Sequence, residues 1–198
     1  MQTQITAFFA IMLTAIAAEN MVFTRALGLN RRVLSLNSAR DSLIYGAFFT
    51  WITFFTVFPS YLVRRLVEDM ANARIIRALL FLASVILIYL GTHFLLQRTL
   101  PNFYHKYRRA LPVNAFNTAL FGTLYISLNQ NLTLPGSIAY ALGAGIGYTL
   151  AILLLHAAKR RLSFSAVPKS FRGMPILMVY IGILSLALYG LLGYGLAS

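Results

Sequence analysis

Apolar residues gather in six runs, at about 4–28, 42–63, 75–96, 111–129, 136–158 and 174–196, and charged residues fall mostly between them. A membrane-crossing helix needs about 20 mostly apolar residues, because the hydrocarbon layer is about 30 Å thick and each helical residue rises about 1.5 Å. Six runs of this length predict an all-α integral membrane protein with six transmembrane helices. No long polar segment separates them, so residues 1–198 are expected to form one membrane domain. The first run could be taken for a secretory leader, because Ala15-Ile16-Ala17-Ala18 resembles a cleavage site. Met1-Gln2-Thr3-Gln4 lacks the basic flank of such a leader, so the run is expected to stay as a span.

Composition strengthens this picture. Hydrophobic residues make up 59% of the 198, charged residues 11%, and the mean hydropathy is +0.74. Soluble domains are roughly half apolar and about a quarter charged. Too little polar surface remains here to cover a soluble globule. The 17 Lys and Arg far outnumber the 4 Asp and Glu. On a soluble chain that excess would suggest nucleic acid; on loops between spans it orients the chain, and no nucleic-acid partner is expected. There is no cysteine, which excludes disulfides, thiolate metal sites, cysteine nucleophiles and any iron–sulfur cluster ligated by this chain's own thiolates.

With six spans, the loops after the first, third and fifth share a side. Arg25, Arg31, Arg32, Arg40, Arg98, Lys106, Arg108, Arg109, Lys159, Arg160, Arg161, Lys169 and Arg172 lie in or beside them. The other side holds Arg64, Arg65, Arg74 and Arg77, offset by Glu68 and Asp69. Thirteen basic residues against four predict cytoplasmic basic loops and both termini outside.

Spans one and four are the most polar, and their polar residues match. "ENMVFTRALG" in the first and "FNTALFG" in the fourth each place an Asn before small residues and a Gly. They occupy equivalent positions in two halves of three spans, about 1–97 and 98–198. Three spans reverse the chain's direction, so the halves would be related by inverted topology. Interrupted segments at corresponding positions point to a midplane site. Backbone freed by a broken helix is tolerated at membrane depth only where it is buried in protein or lines a cavity. Glu19, Asn20, Asn114 and Asn117 are therefore the candidate midplane polar residues or ion path. Glu19 has an equally plain structural alternative, a place near the outer surface or a hydrogen bond between helices. Arg25 is expected to extend to the cytoplasmic face.

The remaining polar features read as structure. Gly143-x-x-x-Gly147 allows helices to approach closely, and it is no dinucleotide fingerprint because Tyr148 follows and no strand precedes it. Asn131-Leu132-Thr133 matches a glycosylation sequon by chance in a bacterial-type chain. His93, His105 and His156 lack metal-ligand spacing, and no nucleophile–base pair or carboxylate dyad is present, so no catalytic residue is assigned.

The stretches "ENMVFTRALGLN", "LPVNAFNTALFG", "SIAYALGAGIGYTLAILLLHAAKRRL", "VPKSFRG" and "ILSLALYGLLG" together resemble the paired small membrane subunits of Rnf and Nqr electron-transport complexes. These are the RnfA/RnfE and NqrD/NqrE type, and termini on the outside match the RnfA/NqrE member. The resemblance runs over nearly the whole chain in order. It implies two inverted three-helix repeats with half-helices at spans one and four, in a bacterial cytoplasmic membrane. It further implies a paired paralogous membrane subunit or second copy, other redox subunits, and an iron–sulfur cluster held between the pair at mid-membrane. The family's cluster cysteines fall at Asn30 and Thr118 of this chain. An Asn amide and a Thr hydroxyl are poor substitutes for soft, anionic thiolates. The resemblance thus carries the fold over and leaves the cluster without ligands from this chain, with flavin or quinone in partner subunits as the other carrier.

Three readings follow. The chain is a subunit of such an ion-translocating electron-transport complex, supplying scaffold and ion path; or a divergent small transporter without a redox role; or a purely structural membrane subunit.

Overall fold

The computed structural model describes residues 2–34, 36, 38–67, 73–162 and 168–193. Glu68 and Asp69, and Val167 of the "VPKSFRG" stretch, lie outside the described residues. In chain order the helices are α1 (Gln2–Ile16), α2 (Arg31–Leu34), α3 (Ala39–Val67), α4 (Ala73–Thr99), α5 (Pro101–Tyr107), α6 (Ala110–Ala115), α7 (Thr118–Asn129), α8 (Leu134–Leu162) and α9 (Met174–Gly193). A single 3-10 turn, Lys169–Phe171, precedes α9.

Among the described residues, four helices are long and apolar enough to cross a membrane: α3, α8, Ile75–Thr99 of α4 and Met174–Leu191 of α9. They match the second, fifth, third and sixth apolar runs, and the chain is an α-helical membrane protein. The first and fourth runs are broken. α1 stops at Ile16, well short of the expected 28, and a turn-rich segment leads to α2. The fourth run is split at Phe116 and Asn117 into α6 and α7. At 15 and 12 residues, α1 and α7 are about 22 and 18 Å long, each less than the hydrocarbon thickness.

α8 forms the centre of the molecule. Of its apolar window 61% is buried, and of α3's 50%, against 17% for α4 and 11% for α9. The last two therefore present most of their surface outward. α3 and α8 run antiparallel in close contact: a Cβ on Gly46 would strike Thr149, and one on Gly145 would strike Thr50. α1 runs parallel to α8. The Gly143-x-x-x-Gly147 pair faces it, Gly143 against Met12 and Ala15, Gly147 against Ile16 and Asn20. Small residues matter here because apolar lipid offers no hydrophobic drive for helix association, so close packing must hold the helices.

Candidate functional site

The two breaks share one local chemistry. Asn20 Oδ1 accepts the Val22 and Phe23 N–H groups at 3.0 and 3.2 Å, and the Asn20 carbonyl accepts Thr24 N–H. Asn20 is thus the N-cap of a single helical turn. Asn117 Oδ1 accepts Ala119 N–H at 3.0 Å and caps α7. An Asn side chain competes with the helix for backbone groups, so it favours caps over helix interiors. That explains why both apolar runs break at an Asn.

Both amides then donate to neighbouring residues halfway along α8. Asn20 Nδ2 donates to the Ile16 and Gly147 carbonyls at 2.9 and 3.1 Å. Asn117 Nδ2 donates to the Tyr148 hydroxyl at 2.7 Å, and that hydroxyl donates to the Gly28 carbonyl at 3.1 Å. Gly28 N–H donates to Thr118 Oγ1 at 2.9 Å. Both backbone polar groups of Gly28 are therefore satisfied by residues of the second half, as buried backbone in a membrane requires. Tyr148 is fully buried and stacks on Phe49, centroids 4.1 Å apart. The breaks meet in a closed, hydrogen-bonded junction.

The family's iron–sulfur cluster does not fit this junction. Asn30 Oδ1 accepts Val33 N–H at 2.8 Å as the N-cap of α2. Thr118 Oγ1 is engaged with Gly28. Both are neutral oxygen donors already in use, where soft anionic sulfur is required. No group of three or more His, Cys, Asp or Glu suited to a metal occurs among the described residues. Thr118→Val, which replaces the hydroxyl with a methyl and leaves Gly28 N–H without its acceptor, is expected to lower stability by about 1 kcal/mol, and Thr118→Ser to leave it unchanged. Equal unfolding midpoints for Val and Ser would show that the Gly28–Thr118 bond carries no weight.

Glu19 belongs to a second cluster, near the α7–α8 turn. Its carboxylate accepts from the Tyr140 hydroxyl at 2.6 Å and from Gln130 Nε2 at 3.0 and 3.2 Å. Arg25 lies 3.5 Å away, with 45% of its side chain exposed against 21% for Glu19. Arg25 therefore does not extend toward the basic loops as expected; the carboxylate at the opposite end of α8 holds it.

Of the four candidate residues, Asn20 and Asn117 are brought together around Gly147-Tyr148, and Glu19 lies apart with Tyr140. Asn114 is fully buried on α6; its Nδ2 donates to the Ala110 carbonyl, and its Oδ1 has no partner. His93 packs edge-on to Tyr104, and His156 lines a small cavity with Leu36 and Lys159. The sequence reading missed Tyr140, Tyr148 and Gln130. A tyrosine inside an apolar span must find a partner for its hydroxyl, and that signal marked both tyrosines.

Comparison with known proteins agrees with this architecture. The family described as "Rnf-Nqr subunit, membrane protein" matches residues 8–194. The chain is 24% identical over 188 residues to the A component of the ion-translocating oxidoreductase complex of Vibrio vulnificus (strain YJ016), covering 95% of this chain and 98% of that one. The corresponding protein of Aeromonas salmonicida (strain A449) is 27% identical over 188 residues, covering 95% and 97%. That of Pasteurella multocida (strain Pm70) is 30% identical over 134 residues, covering 68% and 70%. With a match that takes in both breaks, the junction between them and all four long helices, the chain belongs to the Rnf-Nqr family of membrane subunits.

Proposed function

We propose that the chain is the RnfA/NqrE-type membrane subunit of a bacterial ion-translocating electron-transport complex, serving as scaffold and ion path and supplying no cluster ligand. The observation that carries this reading is the junction itself. Two helix breaks from the two halves meet halfway along α8, and protein hydrogen bonds close them where the family resemblance implies a cluster. The relatives are named as components of an ion-translocating oxidoreductase complex, and that name supplies the role.

In this reading the chain crosses the inner membrane six times as two inverted repeats, with both termini outside and the basic loops in the cytoplasm. The parallel course of α1 and α8 and the matching Asn caps support the inverted relation. A paralogous subunit or second copy pairs with it. A groove of about 390 Å³ beside the junction, lined by Leu27, Phe81, Thr118, Phe121 and Tyr125, supports a partner on that side, and Tyr125 is 66% exposed there. Electrons then pass through carriers of the partner subunits, flavin among them.

Glu19, Asn20, Asn114 and Asn117 are the residues proposed for the ion path. An intramembrane carboxylate is a functional site by default, and Glu19 is partly open while held by three side chains. In the purified complex reconstituted into vesicles, Glu19→Gln is expected to abolish redox-driven ion uptake while the complex stays assembled. Unchanged uptake would remove Glu19 from the path. The role as a whole is tested by affinity purification from native membranes. Flavin-bearing and ferredoxin-like membrane subunits are expected to co-purify; a chain that purifies alone and transports a solute without reductant would replace this reading with the transporter.

A further inference from the structure

A second groove, of about 380 Å³, lies where the N-terminal half of α3 meets the C-terminal end of α4 and the start of α5. Ile44, Phe48 and Trp51 form one wall, and Leu95, Leu96 and Phe103 the other. Thr99 in the same wall has its hydroxyl turned back to the Leu95 carbonyl at 2.7 Å, so the surface it presents is apolar. Each of the three helices also carries an exposed basic residue one turn from a lining residue. Arg40 precedes Ile44 by four positions on α3, Arg98 follows Leu95 by three on α4, and Lys106 follows Phe103 by three on α5. Residues three or four apart share a helix face, so three cations flank one end of an apolar trough. Arg108 and Arg109 follow directly. The acid at that end, Asp41, accepts the Tyr107 hydroxyl at 3.3 Å, and Lys106 Nζ lies 5.4 Å from the Tyr107 ring centre.

An apolar trough with cations at its rim fits a ligand with an apolar tail and an anionic head. From this we propose that the α3–α4–α5 groove is a binding site for an anionic phospholipid, with an acyl chain along Trp51, Leu95 and Phe103. The phosphate lies against Arg40, Arg98 and Lys106. Basic pockets between membrane helices select anionic headgroups in this way, and each cation near the headgroups is worth roughly a fivefold change in partitioning. A neutral lipid would fill the trough equally well and gain nothing from the three charges. The charge complementarity therefore favours one lipid class. The loop charges that orient the chain have a second use here, as the headgroup site.

Trp51 is the chain's single tryptophan and lines the groove, so it reports directly. The full chain would be reconstituted in phosphatidylcholine bilayers containing increasing fractions of brominated phosphatidylglycerol or brominated phosphatidylcholine, with Trp51 fluorescence recorded. Half-maximal quenching is expected at a lower fraction of the anionic lipid, by up to about a hundredfold if the three cations act together. The combined variant Arg40→Gln, Arg98→Gln, Lys106→Gln is expected to bring the two curves together with unchanged circular dichroism. Should that variant fail to fold, Arg98→Gln alone is expected to shrink the preference by roughly fivefold. Coincident curves in the unmodified chain, or a preference that survives the charge changes, would overturn the proposal. So would complexes purified with their partners that retain the same anionic phospholipid with and without Arg98→Gln, since that lipid would then be held elsewhere than at this rim.

Discussion

Replacing Gly28 with Ala is expected to destabilise the fold by about 3 kcal/mol, a large share of the roughly 5–15 kcal/mol that holds a typical domain together. Two costs add. Gly28 has φ +87, a left-handed conformation that costs a residue with a Cβ roughly 1–2 kcal/mol. That Cβ would also lie 2.7 Å from Ala119 Cβ and 2.7 Å from Tyr148 Cε2, inside a fully buried wall. Overpacking of this kind costs about 1–3 kcal/mol. Gly173 provides the control, because it has the same φ of +87 and nothing within 4 Å of its would-be Cβ. Gly173→Ala should show the backbone cost alone. Unfolding midpoints in detergent, followed by Trp51 emission, would separate the two variants by the packing cost. Coincident midpoints would mean that the two breaks do not touch at Gly28.

The second large effect is a contrast between two asparagines. Asn20→Leu leaves the buried Val22 and Phe23 N–H groups without an acceptor. Inside this buried junction water cannot replace it, and the expected loss is about 3 kcal/mol. Asn114→Leu removes an amide whose oxygen is already unpartnered and whose nitrogen serves only the Ala110 carbonyl. An apolar side chain of similar shape should be tolerated there within about 1 kcal/mol, or should stabilise. Ion uptake that falls in a stable Asn114→Leu complex would mark the orphaned oxygen as part of the path. A stability loss equal to that of Asn20→Leu would show instead that Asn114 is a structural cap.

What was legible in the sequence follows from what is local. The long apolar runs gave α3, α4, α8 and α9 to within a few residues, because length and hydropathy decide a membrane helix. The breaks were legible because Asn20 and Asn117 each interrupt an otherwise apolar run, and an Asn cap needs only the next two or three backbone N–H groups. Gly143 and Gly147 were legible as a close approach, but nothing local named α1 as the helix that approaches. Contacts between distant residues left no such trace. The bonds from Asn20 to Gly147 and from Tyr148 to Gly28 join positions more than a hundred residues apart. Arg25 was misread for the same reason: proximity to a basic loop in sequence counted for less than the Glu19 carboxylate in space. The first apolar run continues to residue 28 in hydropathy, whereas α1 ends at Ile16, so the run located the interrupted span without giving the residue at which its helix stops.

The proposed role without a cluster rests on the closed junction between the two helix breaks, and iron tests it most directly. The chain would be purified from native membranes, washed free of peripheral redox subunits, and assayed with its remaining membrane partners for iron, acid-labile sulfide and an EPR signal. With Asn30 capping α2 and Thr118 bound to Gly28, iron is expected far below one cluster per membrane pair, with no cluster signal. Stoichiometric iron and sulfide in the washed pair, with a cluster spectrum, would contradict it, since the junction would then hold the centre without a thiolate from this chain.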